Sequence, residues 1–74
     1  MRKPKLHLGN LEGEEGNAFV ILGRAQAVAK ENGLDNKAIQ AEATSGDYEH
    51  LLATMKKYYE VTVKDILGNI KELK

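Results

Sequence analysis

"YYEVTVKDILGNIKELK", Tyr58 to Lys74, is the stretch whose reading decides the fold. Its first half is aromatic and β-branched, which favours a strand. In its second half, Thr62 followed by Asp65 resembles a capping box, with Val63, Ile66, Leu67, Ile70 and Leu73 on one helical face. The two readings combine if a short strand at Glu60–Val63 gives way to a C-terminal helix. That strand needs a partner, and "KLHL" near the start supplies one, since Leu6 and Leu8 alternate with Lys5 and His7. A lone two-stranded ribbon is marginal in water, so it must pack on helices.

Between the two strands the pattern is helical. Asn17 follows Gly16 and caps "AFVILGRAQAVAKEN", in which Ile21, Leu22, Ala25, Val28 and Ala29 form a stripe. Gly33 suits the left-handed position just past the end. Phe19 is expected to plug the core. Gly23, inside the helix, costs roughly 1 kcal/mol relative to alanine. With Ala27 one turn later it makes a smooth strip where another backbone can approach. A short second helix follows, capped by Asp35 or Asn36, with Ala38, Ile39 and Ala43 turned inward and its end at Ser45-Gly46. Asp47 caps the third, with Glu49 in its first turn. Leu51, Leu52, Met55 and Tyr59, with Tyr58 as a further candidate, form its buried face. The expectation is one α+β domain over residues 1–74, mostly helical. It has three to four helices and a two-stranded ribbon pairing Leu6–Leu8 with Glu60–Val63.

Composition narrows the function. A 74-residue chain hides only about 60% of its unfolded surface, so a partner subunit is a natural source of stability. There is no cysteine, which excludes disulfides and thiolate zinc sites. Eleven basic residues balance eleven acidic ones, which disfavours nucleic acid as a partner. The basic cluster Arg2, Lys3 and Lys5 is followed closely by Glu12, Glu14 and Glu15. The longest apolar run, Ala18 to Leu22, is far short of the ~20 residues that span a bilayer. The basic N-terminus lacks the apolar core of a signal peptide. A cytoplasmic protein is expected, without membrane or cofactor.

Two motifs, "GNAFVILG" (Gly16–Gly23) and "ATSGDYEHLL" (Ala43–Leu52), resemble a group of short bacteriophage and prophage proteins. Those carry the same two motifs around an Ala-rich helix and a Tyr-rich end near "YYEV". The resemblance runs from about Leu8 to Val61 and implies a phage-type accessory protein. It brings no activity with it, and Thr62–Lys74 lies beyond it.

The second motif is either a helix junction or a recognition corner. As a junction, Thr44 and Ser45 satisfy loop backbone, Asp47 caps, Tyr48 lies over the joint and His50 sits at an amphipathic edge. As a corner, Thr44, Ser45, Tyr48 and His50 offer hydrogen bonds and a stacking surface at a helix start. Asp47 would repel a phosphate there. A catalytic pairing of Asp47 with His50, beside Ser45 or Thr44, lacks any glycine-rich elbow or oxyanion arrangement. A metal site from Asp47, Glu49, His50 and His7 is disfavoured, because Glu49 and His50 point to different sides of a helix. "GEEGNAF" has the shape of a phosphate cradle, yet it lacks the P-loop lysine, and Glu14 and Glu15 would repel the anion. Arg24 is the first choice for contact with any anionic ligand. Of Tyr58 and Tyr59, about 100° apart on a helix, one is core and one exposed, too little for a base-stacking platform.

The expected function is a non-enzymatic phage accessory protein that modulates a host protein. The alternative is an oligomer that sequesters a small nucleotide signal in counter-defence. Ligand or partner contacts are assigned to Asn17, Arg24, Thr44, Ser45, Asp47, Tyr48 and His50. The interfaces of a homo-oligomer are assigned to Gly23, Ala27, Ile66 and Ile70.

Overall fold

A computed structural model describes residues 3–13 and 16–73. The expectations placed on Arg2, Glu14, Glu15 and Lys74 lie outside the described residues. The chain runs β1 (Lys5–His7), α1 (Ala18–Glu31), α2 (Asn36–Ala43), α3 (Tyr48–Tyr58), β2 (Glu60–Lys64) and β3 (Ile70–Glu72). The three strands form one sheet in the order β1-β2-β3.

The expected ribbon forms, and its strands are parallel, with Leu6 opposite Val61. The ladder continues past both ends of β1, through Glu60 N to Pro4 O at 2.8 Å and Lys64 N to Gly9 O at 2.9 Å. Parallel strands cannot be joined by a tight turn and need a long crossover. The three helices are that crossover. They cover one face of the sheet, where Leu6, Leu8, Val61 and Val63 are buried against Ile21, Ala25, Ile39, Ala43, Leu51, Met55 and Tyr59. Leu22, Val28, Leu52 and Tyr58 are half-buried at the margin.

The helix boundaries follow their caps. Asn17 accepts from Phe19 N, Asp35 from Ala38 N and Asp47 from His50 N. Gly33 has φ +69°, as the C′ position requires. Tyr59 closes α3 and turns the chain into β2. Its ring is buried and its hydroxyl donates to Ala25 O at 3.1 Å. Burial holds that phenol above its ordinary pKa.

Three expectations need correction. The first is the C-terminal helix: residues after β2 turn back as β3, antiparallel to β2, with Val63 opposite Lys71. A helix there would carry Gly68 and Asn69 in its middle. Instead Ile66-Leu67-Gly68 form a three-residue hairpin loop, with Gly68 at φ +87° and Asp65 N donating to Asn69 O at 2.9 Å. The Asp65 carboxylate does accept backbone N–H groups, but from Leu67 at 2.9 Å and Asn69 at 2.8 Å, inside the turn. Those bonds, led by Asn69, lower its pKa. Val63 and Leu73 point toward the helices, whereas Ile66, Leu67 and Ile70 stay outside.

The second correction is Phe19, which is 84% exposed. It lies two residues before Ile21, about 200° around the helix from the core stripe. The third is Ala38, exposed because Ile39 and Ala43 already occupy the inward face of α2.

Gly68→Ala should destabilise the protein by about 1–2 kcal/mol, since a Cβ is strained in the left-handed region. Tyr59→Phe should cost about 1 kcal/mol through loss of the hydrogen bond to the Ala25 carbonyl. Urea denaturation monitored by circular dichroism measures both.

Candidate functional site

Most polar groups of the TSGDYEH corner are engaged by the fold. Thr44 Oγ1 donates to Gln40 O at 2.8 Å and Ser45 Oγ to Glu42 O at 2.7 Å, closing α2. Asp47 spends its carboxylate on the backbone of His50, at 2.9 Å, so it caps α3 rather than orienting the imidazole.

The surroundings of the His50 ring place a proton on one of its nitrogens. Its Nε2 lies 2.8 Å from Glu42 O and 3.1 Å from Ser45 Oγ. A carbonyl oxygen only accepts, so Nε2 carries the proton. It therefore has no lone pair for the Ser45 proton, which already goes to the same carbonyl. Ser45 and His50 are thus not arranged as nucleophile and base. Among the described residues, no group of three histidines and carboxylates is placed to hold a metal ion.

Glu42 is the centre of the junction. While its carbonyl receives Ser45 and His50, its carboxylate accepts from Lys57 Nζ at 3.0 Å and Tyr58 OH at 2.8 Å. Lys57 also stands 5.2 Å from the centre of the Tyr58 ring. The hydrogen bonds from Lys57 and then Tyr58 lower the Glu42 pKa, and Glu42 raises that of Lys57. Tyr58 is therefore committed to the α2–α3 joint rather than offered for stacking.

What the corner leaves open is apolar. A cleft of about 250 Å³ lies between the start of α1, the end of α2 and the start of α3. Ala18, Leu22, Ala43, Gly46, Tyr48 and Leu51 line it, with Thr44 and Asp47 at the side. Tyr48 reaches from α3 to donate its hydroxyl to Gly16 O, which ties the corner to the Asn17 cap. The Gly16 position is fixed by crowding: a Cβ there would stand 1.9 Å from Leu11 O.

The expected contact residues separate accordingly. Thr44, Asp47 and Tyr48 meet at the cleft, with Asn17 one residue from the carbonyl that Tyr48 binds. Ser45 and His50 sit behind it in the joint. Arg24 does not line the cleft; its Nη1 donates to His7 O at 3.3 Å, on β1. Gly23 and Ala27 are exposed, and apart from its chain neighbours and the nearby helix backbone nothing stands within 4 Å of a Cβ built on Gly23.

Phe19 was missed as a surface residue. With Gly23 and Ala27 it forms an i, i+4, i+8 row on the outer side of α1, joined by Val20, which is 36% exposed. The signal is in the sequence: α1 has two small or apolar rows on opposite sides, and a sheet this small covers one. No protein-family model, curated protein or solved structure matches the chain.

A carboxylate whose pKa is lowered by folding stabilises the protein above its unfolded pKa, and that contribution fades as pH falls through the folded one. Glu42→Gln should therefore melt below the wild type at neutral pH. The gap should close as the pH drops below the ordinary value of 4.5. Thermal melts of both proteins across an acid series measure it.

Proposed function

We propose that this chain is a non-catalytic binding module whose partner is a protein, docked on the outer face of α1 and the adjoining cleft. One observation carries the reading: Phe19, Val20 and Tyr48 are large apolar or aromatic side chains left in solvent, and Tyr48 lines an apolar cleft with Ala18 and Leu22 of α1. Grouped exposed apolar residues rimmed by polar ones mark interaction sites. Gly23 and Ala27 extend the surface as a shallow track suited to close approach by a helix. A partner of matching chemistry is an amphipathic helix that lays small residues along the track and one large apolar side chain in the cleft.

The resemblance of the two motifs to phage proteins supports a host protein as that partner, met in the host cytoplasm. Among the described residues no helix is long and apolar enough to cross a membrane. A nucleotide-sequestering site draws less support. The cleft is smaller than the ~300–1,000 Å³ typical of small-molecule sites, and it is lined by Asp47 and no cation.

Phe19→Ser should leave the melting temperature nearly unchanged, because the side chain is already exposed. It should weaken partner retention at least about tenfold, the loss expected of a central aromatic anchor. Affinity capture from host lysate with wild type and variant, quantified by mass spectrometry, tests this. Equal retention by both, or a melting temperature raised by cyclic nucleotides, would sink the reading.

A further inference from the structure

The two edges of the sheet differ. At β1, Leu8 N bonds inward to Thr62 O, and the outward-facing His7 carbonyl is met by Arg24 of α1. Arg24 thus covers one carbonyl of that edge. At β3, Asp65 N bonds Asn69 O and Leu73 N bonds Val61 O, so the odd-numbered residues face β2. Ile70 and Glu72 therefore turn their backbone N–H and C=O groups away from it. Among the described residues no strand lies beyond β3. Beside this open edge stand Ile66, Leu67 and Ile70, exposed by 82%, 83% and 66%. Open edges with apolar side chains template pairing with another strand.

We propose that β3 pairs antiparallel with β3 of a second copy, with the two-fold axis at Ile70. Among axes at the three residues of β3, the charges admit a second copy at one. An axis at Lys71 would set lysine directly against lysine, and an axis at Glu72 would set glutamate against glutamate. Like charges directly opposed across strands destabilise the pair. The axis at Ile70 sets Ile70 on Ile70, Lys71 opposite Asn69 and Glu72 opposite Gly68, so no like charges are directly opposed. Ile70 then exchanges both of its backbone hydrogen bonds with its counterpart. On the same face, the Lys64 side chain paired with Ile70 lies outside the isoleucine pair on each side. The result is a six-stranded sheet across two chains. The contact is small, so the dimer is weak. It shares no residue with the Phe19 face, so each dimer presents two docking faces and gains avidity toward a repeated partner.

Sedimentation velocity of the whole chain from micromolar to millimolar concentration tests the proposal. Wild type should pass from monomer to dimer. Ile70→Lys and Ile70→Pro should each raise the dissociation constant at least tenfold, with circular dichroism unchanged. The proline removes only an outward N–H, which an edge strand tolerates. If either variant misfolds, Leu67→Lys at the exposed loop gives the same readout. Ile70→Cys should cross-link two chains under mild oxidation, since directly paired strand residues have the Cα spacing of a disulfide. Phe19→Ser should dimerise normally while losing the partner, which separates failure here from failure of the docking face. A chain monomeric to millimolar concentration overturns the proposal and leaves the edge to a strand of another protein. A dimer indifferent to Ile70→Lys and Leu67→Lys overturns it as well.

Discussion

The parallel pairing of β1 with β2 is the constraint on which everything else depends. It joins residues 55 apart in sequence, as His7 Nδ1 and Thr62 Oγ1 show at 2.9 Å. Closing so long a loop has an entropic cost that grows only slowly with length, but the closure must be held by buried surface. Leu6, Leu8, Val61 and Val63 supply that surface on one face of the ladder. The helices fill the crossover and cover the same face. Tyr59 locks the last corner, where α3 becomes β2, by burying its ring and bonding the α1 backbone.

Once the helices are committed to this layer, their polar ends are committed too. The acids, hydroxyls and imidazole of Glu42 to His50 resemble a chemical site when read in a row. In space they close α2, open α3 and hold the two together through one carbonyl and one carboxylate. The proton on His50 Nε2 follows from that carbonyl. Groups already paired with backbone have little left to offer a substrate. The surfaces with unspent interaction energy are apolar instead: the outer row of α1 beside its cleft, and the loop beside β3.

This follows from the architecture. Among the described residues three helices cover one face of the sheet, and no second layer lies on the other. Helix α1 carries apolar or small residues on two opposite sides, and the sheet can use one. The C-terminal stretch has more large apolar residues than the helix-covered face of the sheet can take. Val63 on β2 and Leu73 just past β3 are absorbed there, and Ile66, Leu67 and Ile70 are left over.

The sequence by itself determined the three helices, through Asn17, Asp35 and Asp47 at their starts and Gly33 past the end of the first. Alternation at Leu6–Leu8 and β-branched residues at Glu60–Val63 are local signals of strands, whereas their pairing, its parallel sense and the run of β2 on to Lys64 came with the fold. Tertiary structure decided what local rules leave balanced. "TVKDILGN" satisfies both a helix start and a hairpin turn, since Asp65 accepts backbone N–H groups in either. The hairpin prevails because it keeps Val61 and Val63 on the core side of one strand and places Gly68 where a positive φ is needed. Large apolar residues usually turn inward, which is why Phe19 reads as core in the sequence and stands in solvent in the fold. Which row of α1 faces the sheet is settled by Ile21 and Ala25 joining the core with Leu6 and Leu8, a choice that exists only after the chain has closed.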